Sequence, residues 1–120
     1  MSPRVLLVED SPMISGALKL LLESGGFEVT LAETAAEASA WKGPERADVM
    51  ILDLGLPDAD GLSVIASLVR RGMKPTTTFA MTGRNDAETI ERCKAAGCDD
   101  VLLKPVPIQQ LLRIVTKAVA

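Results

Sequence analysis

Short apolar runs predict five β-strands in this chain, at residues 5–8, 27–31, 49–52, 76–81 and 101–103. The runs at 5–8 and 49–52 contain no polar residue, which is typical of strands buried on both faces of a parallel sheet. The run at 27–31 alternates weakly between apolar and polar residues and predicts a more exposed strand.

A helix is predicted after each strand, because apolar residues recur there at a spacing of three or four. Ser11-Pro12 and residues 34–37 and 85–88 are N-terminal capping patterns. The apolar residues at this spacing are Ile14, Leu18, Leu21 and Leu22 in the first helix and Leu62, Ile65, Leu68 and Val69 in the third. Ala38 and Trp41 share a face of the second helix, and the fourth runs through Ile90 and Cys93. In the last helix, the residues predicted to face inward are Ile108, Leu111, Leu112, Val115 and Val119. This fivefold βα alternation predicts an α/β fold, a flavodoxin-like (βα)5 doubly wound parallel sheet with strand order 2-1-3-4-5.

Length and composition predict one globular domain, at residues 1–120. The net charge of −3 argues against direct nucleic-acid binding, and neither a membrane-spanning apolar run nor a signal peptide is recognisable. Cys93 and Cys98 match no metal or redox spacing, so we expect reduced thiols in a cytoplasmic protein. The sequence has no His, which removes the commonest general base and the commonest zinc ligand.

Polar side chains follow four of the five predicted strands. Glu9 and Asp10 follow the first strand, Asp53 the third, Thr82 the fourth and Lys104 the fifth. Alone, each has an ordinary explanation as a strand end or a turn residue. In a parallel sheet, however, these ends meet at one edge, where ligands bind.

Three carboxylates brought together repel one another, unless one takes up a proton or a cation lies between them. An oxygen-only ligand set favours Mg²⁺ or a similar hard cation. Asp53 stands alone on its strand end and is the candidate nucleophile for phosphoryl transfer, which requires positioning and charge screening. Lys104 and the Thr82 hydroxyl could contact the transferred oxygens, and the Gly55 carbonyl could also ligate the metal.

The combined motifs resemble the receiver domain of two-component response regulators over essentially the whole chain. They are Glu9-Asp10, Asp53-Leu54-Gly55-Leu56-Pro57 with Asp60-Gly61, Thr82, and Lys104-Pro105. The resemblance implies that Asp53 accepts a phosphoryl group from the phosphohistidine of a sensor histidine kinase or a histidine phosphotransfer protein. It also implies that the domain assists its own phosphorylation and dephosphorylation and is a signalling domain rather than an enzyme.

The same resemblance implies the roles of the remaining site residues. Asp10 and Asp53 would bind Mg²⁺ (or Mn²⁺) directly with the Gly55 carbonyl, and Glu9 through water. Thr82 and Lys104 would contact the attached phosphoryl group, and the Lys104–Pro105 peptide bond would be cis. The usual partner surface is the fourth helix, fifth strand and fifth helix, which would bind a downstream target, an effector domain or a second copy of the chain.

Two positions depart from the family pattern, because Val101 and Val106 stand where an aromatic residue is common. We therefore expect a smaller conformational change, or one carried by the loop after Thr82 and the fourth helix. Gly55 and Arg84 occupy positions that tune phosphoryl lifetime in this family.

Other functions remain open from the residues. A flavin-binding domain would want a Ser, Thr or Gly phosphate loop and aromatic residues, which are only 2% here. A haloacid-dehalogenase-type phosphatase would need an acid where Gly55 stands, and an EF-hand at residues 58–61 lacks its flanking acids. A receiver-shaped module that is never phosphorylated, a stand-alone regulator and one domain of a longer protein are further possibilities.

Overall fold

The computed structural model describes residues 2–120, and in it strands and helices alternate along the chain. The elements are β1 (Arg4–Val8), α1 (Pro12–Ser24), β2 (Glu28–Ala32), α2 (Ala35–Ser39), β3 (Val49–Asp53), α3 (Leu62–Arg70), β4 (Thr77–Thr82), α4 (Ala87–Ala96), β5 (Asp100–Leu103) and α5 (Ile108–Ala118). The strands form one sheet in the order β2-β1-β3-β4-β5, and all neighbouring pairs are parallel. The predicted α/β fold and strand order are confirmed.

The two faces of the sheet carry separate apolar layers because successive strand residues point to opposite sides. On one face, Leu6 and Met50 pack with the buried residues of α2, α3 and α4. On the other face, Leu7 and Ile51 pack with the buried residues of α1 and α5. β3 is buried along its whole length, as expected for a central strand between two helical layers. β2 exposes alternate residues, which agrees with its weak polar alternation.

The helix after β2 ends two residues earlier than its sequence pattern predicts. The Thr34 hydroxyl accepts a hydrogen bond from the backbone N–H of Glu37 at 3.1 Å, as a capping pattern should, but α2 has only five residues. Trp41 therefore lies beyond the helix, where it is buried and donates its indole N–H to the Glu45 carbonyl at 2.8 Å. The Arg71 guanidinium donates to the carbonyls of Ser39 and Trp41, both at 2.6 Å, and so satisfies the end of the short helix.

Two of the apolar residues that recur at helical spacing lie on the surface. Ile14 is 43% exposed and Val69 is 52% exposed. The buried side of α1 is formed by Ser15, Leu18 and Leu22, a stripe from which Ile14 is displaced by one position. Within residues 2–120, no helix has both the length and the apolar character that crossing a bilayer requires.

Candidate functional site

The candidate site lies at the carboxyl edge of the sheet, where β1, β3, β4 and β5 end next to one another. Glu9 directly follows β1, Asp53 is the last residue of β3, and Thr82 is the last residue of β4. Lys104 follows β5 directly, and its backbone N–H donates to the Thr82 carbonyl at 2.8 Å. The sheet topology thus brings together residues from four distant parts of the chain.

The three acids form one cluster. Oxygen atoms from Glu9, Asp10 and Asp53 lie within 4.8 Å of one another. Glu9 and Asp53 are both only 2% exposed, whereas Asp10 is exposed. A buried carboxylate beside another carboxylate is costly to ionise. Burial accordingly raises the pKa of Glu9 to about 7; the Asp53 carboxylate adds to this rise, and the backbone N–H of Ser11 and the Lys104 ammonium oppose it.

The two carboxylate oxygens of Glu9 differ in their partners. Oε1 accepts a hydrogen bond from the Ser11 backbone N–H at 3.1 Å. Oε2 is buried and finds no hydrogen-bond partner among residues 2–120. An orphaned buried oxygen is expensive, and a cation among the three acids would satisfy it. The donor atoms here are all oxygens, as Mg²⁺ prefers, so the residues present fit a hard divalent cation.

Asp53 is held by two donors on one side. The Lys104 ammonium donates to Asp53 Oδ1 at 2.6 Å, and the Gly55 backbone N–H donates to the same oxygen at 3.0 Å. A Cβ atom at Gly55 would have only this Asp53 oxygen within 4 Å, at 3.6 Å, so the space over residue 55 is open. The Lys104–Pro105 peptide bond is cis.

The Thr82 hydroxyl faces the same space. It is 6% exposed and accepts a hydrogen bond from the Arg84 backbone N–H at 3.1 Å. Because this bond uses a lone pair, the hydroxyl proton remains available to donate to a further oxygen. The two family positions that lack an aromatic residue are packed by aliphatic side chains: Val101 lies against one apolar layer and Val106 against the other.

A cleft of about 380 Å³ opens over these residues. Its lining consists of Asp53, Leu54, Gly55, Asp60, Thr82, Gly83, Arg84, Thr89, Arg92 and Lys104. Sequence reasoning missed Arg92, whose guanidinium pairs with the Asp60 carboxylate across the cleft. These residues are 32 positions apart, and no local motif in the sequence connects them.

A second contact that the sequence did not predict joins the site loop to α2. The Asp58 carboxylate accepts hydrogen bonds from the backbone N–H groups of Ala35 at 2.9 Å and Ala36 at 3.1 Å. These two hydrogen bonds lower the pKa of Asp58 below its usual value, and the bond from Ala35 has the larger effect. The loop between β3 and α3 is therefore tied to α2 through Asp58 and to α4 through Asp60.

A parallel five-stranded sheet in the order 2-1-3-4-5 is shared by flavodoxins and by CheY-like receiver domains, and an acidic carboxyl edge distinguishes the second class here. The chain belongs to the response regulator receiver domain family, whose family model matches residues 5–116.

Two curated relatives are transcriptional regulatory proteins. The transcriptional regulatory protein KdpE of Mycobacterium tuberculosis is 35% identical over 115 residues, which are 96% of this chain and 50% of that protein. The virulence transcriptional regulatory protein PhoP of Salmonella typhimurium is 35% identical over 109 residues, 91% of this chain and 48% of that protein. This chain spans about half the length of the curated relatives it matches.

Solved structures show the same fold. A CheY-like response regulator receiver domain protein from Methanospirillum hungatei JF-1 matches with a TM-score of 0.84 at 30% identity, covering 98% of this chain and 93% of that one. The non-phosphorylated HemR receiver domain from Leptospira biflexa matches with a TM-score of 0.88 at 28% identity, covering 99% and 95%. The predicted membership of the receiver family is confirmed.

Proposed function

We propose that this chain is a single receiver domain, at residues 1–120, in which Asp53 is the phosphoacceptor of a two-component phosphorelay. The observation that carries the proposal is the position of Asp53, which is buried at the sheet edge with one oxygen held by Lys104 and Gly55 and with Glu9 and Asp10 beside it. The donor would be the phosphohistidine of a sensor histidine kinase or of a histidine phosphotransfer protein.

In the transfer, an Asp53 carboxylate oxygen attacks phosphorus and forms a P–O bond while the P–N bond to the imidazole breaks. The imidazole leaves with the bonding electron pair and takes up a proton, and Asp53 becomes an aspartyl phosphate. Lys104 neutralises charge on the phosphoryl oxygens as a point charge, and the free Thr82 proton donates to one of them. The chain's contribution is mainly positioning and electrostatic stabilisation, as phosphoryl transfer generally requires.

The acidic cluster supports a divalent cation as part of this proposal. Asp10, Asp53 and the Gly55 carbonyl would hold Mg²⁺ (or Mn²⁺) directly, and Glu9 would act through water. When bound, the cation screens the repulsion between the Asp53 carboxylate and an incoming anionic phosphoryl group. The orphaned Glu9 oxygen is the structural feature that best supports such a cation.

Phosphorylation would change the affinity of the surface formed by α4, β5 and α5 for a downstream target, for an effector domain or for a second copy of the chain. The transcriptional regulators KdpE and PhoP are twice as long as their match to this chain, which supports an effector domain as one partner. The domain itself would bind no nucleic acid, in keeping with its net charge of −3. Its two buried cysteines form no disulfide, which supports a location in the reducing cytoplasm.

Phosphoramidate tests the proposal because it presents a P–N bond, as phosphohistidine does. Incubated with phosphoramidate and Mg²⁺, the wild-type protein should gain the mass of one phosphoryl group, and Asp53→Asn should gain none. Asp58→Asn, five residues away and outside the cleft lining, is the matched control and should still be modified. A wild-type protein that stays unmodified, or an Asp53→Asn variant that is modified equally, would contradict the proposal.

A further inference from the structure

The cleft over Asp53 contains three cations, and each has a carboxylate partner. Lys104 is paired with Asp53 itself. The Arg84 side chain is paired at 3.0 Å with Asp86, which is not part of the cleft lining. Arg92 is paired with Asp60, and both members of this pair line the cleft. Of the two arginines, Arg92 is therefore the one whose ion-pair partner also lines the cleft.

We propose that Arg92 exchanges partners when Asp53 is modified: it leaves the Asp60 carboxylate and binds the phosphoryl oxygens. This inference rests on the proposed phosphoacceptor function and adds to it a phosphoryl-binding residue on α4. Asp60 then acts as a competing anion that holds Arg92 while the site is unmodified. None of the sequence motifs at the strand ends contains Arg92, which lies in the middle of a helix.

The charges in the cleft favour this exchange. An Asp53 carboxylate carries a single negative charge, and Lys104 already balances it. An aspartyl phosphate is neutral at the former carboxylate, but its phosphoryl oxygens carry a charge of about −2 and reach further into the cleft. A divalent cation at the site is offset by the neighbouring Glu9 and Asp10 carboxylates, so Lys104 and the cation together balance only part of that charge. Arg92 is a further cation of the cleft lining, and its partner Asp60 also lines the cleft.

The ion pair between Arg92 and Asp60 is weak. The side chains of Arg92 and Asp60 are 54% and 51% exposed, and ion pairs between half-exposed side chains contribute little because water screens them. A guanidinium group also matches phosphate better than an ammonium does, since its planar fork can donate two parallel hydrogen bonds. The other oxygen of Asp60 accepts the Leu62 backbone N–H at 3.0 Å, so this hydrogen bond to the first residue of α3 can persist after the exchange.

The exchange would connect the site to a helix. Asp60 precedes Gly61, and a Cβ atom at Gly61 would come within 2.8 Å of the Asp53 carbonyl oxygen, so this loop is packed tightly on the end of β3. While Arg92 is bound to Asp60, α4 is tied to that loop. Once Arg92 turns to the phosphoryl group, α4 is tied to the modified residue instead, without any aromatic side chain taking part.

Titration with beryllium trifluoride in the presence of Mg²⁺ tests the exchange, because this anion mimics an attached phosphoryl group and does not hydrolyse. Bound and free anion are measured by ¹⁹F NMR for wild type, Arg92→Met, Asp60→Asn and the double variant. Arg92→Met should weaken binding by about five- to tenfold, the worth of a charge-assisted pair. Asp60→Asn should strengthen binding by about two- to fivefold, because Arg92 is released from its competitor.

The opposite signs separate partner exchange from a purely structural role, in which breaking one ion pair from either side would have the same effect. The double variant should bind as weakly as Arg92→Met, and the Arg92 Nε–H signal should shift when wild type binds the anion. Lys94→Met, which removes an exposed cation of α4 outside the cleft lining, should bind as wild type does.

Three results would overturn the inference alone: normal binding by Arg92→Met, weakening by both single variants, or a gain from Asp60→Asn that persists in full without Arg92. The last result would mean that Asp60 acts on the anion directly through its charge. A wild-type protein that binds no beryllium trifluoride with Mg²⁺ present would overturn the proposed function and this inference together.

Discussion

Replacing Glu9 with glutamine should stabilise the metal-free protein at pH 8. Glu9 is 2% exposed, and burial raises its pKa from 4.5 to about 7, with the Asp53 carboxylate adding to the rise. When folding raises the pKa of an acid, its protonated form contributes to the free energy of unfolding. For Glu9 this contribution is fully present below the unfolded-state pKa near 4.5 and is lost as the pH rises through about 7. At pH 8 the folded metal-free protein therefore carries the whole cost of ionising Glu9.

The size of the effect follows from that change in pKa. A rise from 4.5 to about 7 corresponds to about 3 kcal/mol of differential stability at high pH, at roughly 1.4 kcal/mol per unit. Glutamine keeps the shape but leaves a buried amide without full hydrogen bonding, which costs about 1 kcal/mol. The expected net gain for Glu9→Gln is thus about 2 kcal/mol at pH 8. Well below pH 4.5, where Glu9 is protonated in both states, the gain should give way to a loss of about 1 kcal/mol, the cost of the buried amide.

Urea unfolding in EDTA, followed by the fluorescence of Trp41, measures this directly, since Trp41 is the single Trp and is buried. Repeating the titration with saturating Mg²⁺ should stabilise wild type more than Glu9→Gln, because the variant has lost one anionic oxygen for the cation. Glu91→Gln, at an exposed position of α4, is the matched control and should change neither value. Equal stabilities of wild type and Glu9→Gln at pH 8 without metal would refute the reasoning.

Four further substitutions probe separate features. Gly55→Met should make the aspartyl phosphate decay several-fold more slowly, because the open approach of water over residue 55 is closed; radiolabel loss from the phosphorylated protein measures it. Gly43→Ala should lower the free energy of unfolding by about 1–3 kcal/mol, since its Cβ would overlap the Trp41 indole ring. Gly16→Ala in α1 meets no atom within 4 Å and should raise it by about 0.5–1 kcal/mol. Asp58→Asn should flatten the fall of Tm between pH 5 and pH 3, because the lowered pKa of Asp58 makes its stabilisation present above the usual value of 3.8 and lost as the pH falls.

Each of these predictions has an outcome that contradicts it. Identical decay rates for wild type and Gly55→Met would show that residue 55 does not limit water access. A Gly43→Ala variant as stable as Gly16→Ala would mean that the loop around the indole ring adapts freely. An Asp58→Asn variant with the acid profile of wild type would mean that the cap on α2 contributes nothing in solution.

Periodicity and capping patterns were sufficient for the fold because the sheet is built from local units. The apolar run at residues 49–52 could hardly be anything but a buried central strand, and β3 is buried throughout. α2 begins at its predicted cap and ends two residues early, where the distant Arg71 binds the carbonyls of Ser39 and Trp41. Ile14 and Val69 follow the helical spacing yet lie on the surface, because the spacing identifies a helix without fixing the edges of its buried stripe.

The strand-end residues of the site could be singled out because parallel topology brings strand ends to one edge. The contacts made by the loop after β3 could not be predicted from the sequence. Arg92 pairs with Asp60 from 32 residues away, and Asp58 caps α2 from 23 residues away. Either carboxylate could equally be a turn residue by its local sequence. Only the tertiary arrangement of α2, α3 and α4 shows which partner each one finds.

The measurement that tests the central claim most directly is reductive trapping of the aspartyl phosphate. After incubation with phosphoramidate and Mg²⁺, sodium borohydride reduces an acyl phosphate to an alcohol, and peptide mass spectrometry then locates the converted side chain. The account predicts conversion at Asp53 alone, and none when EDTA replaces Mg²⁺. Conversion at Asp10 or Glu9 in place of Asp53, or no conversion at any carboxylate, would contradict it.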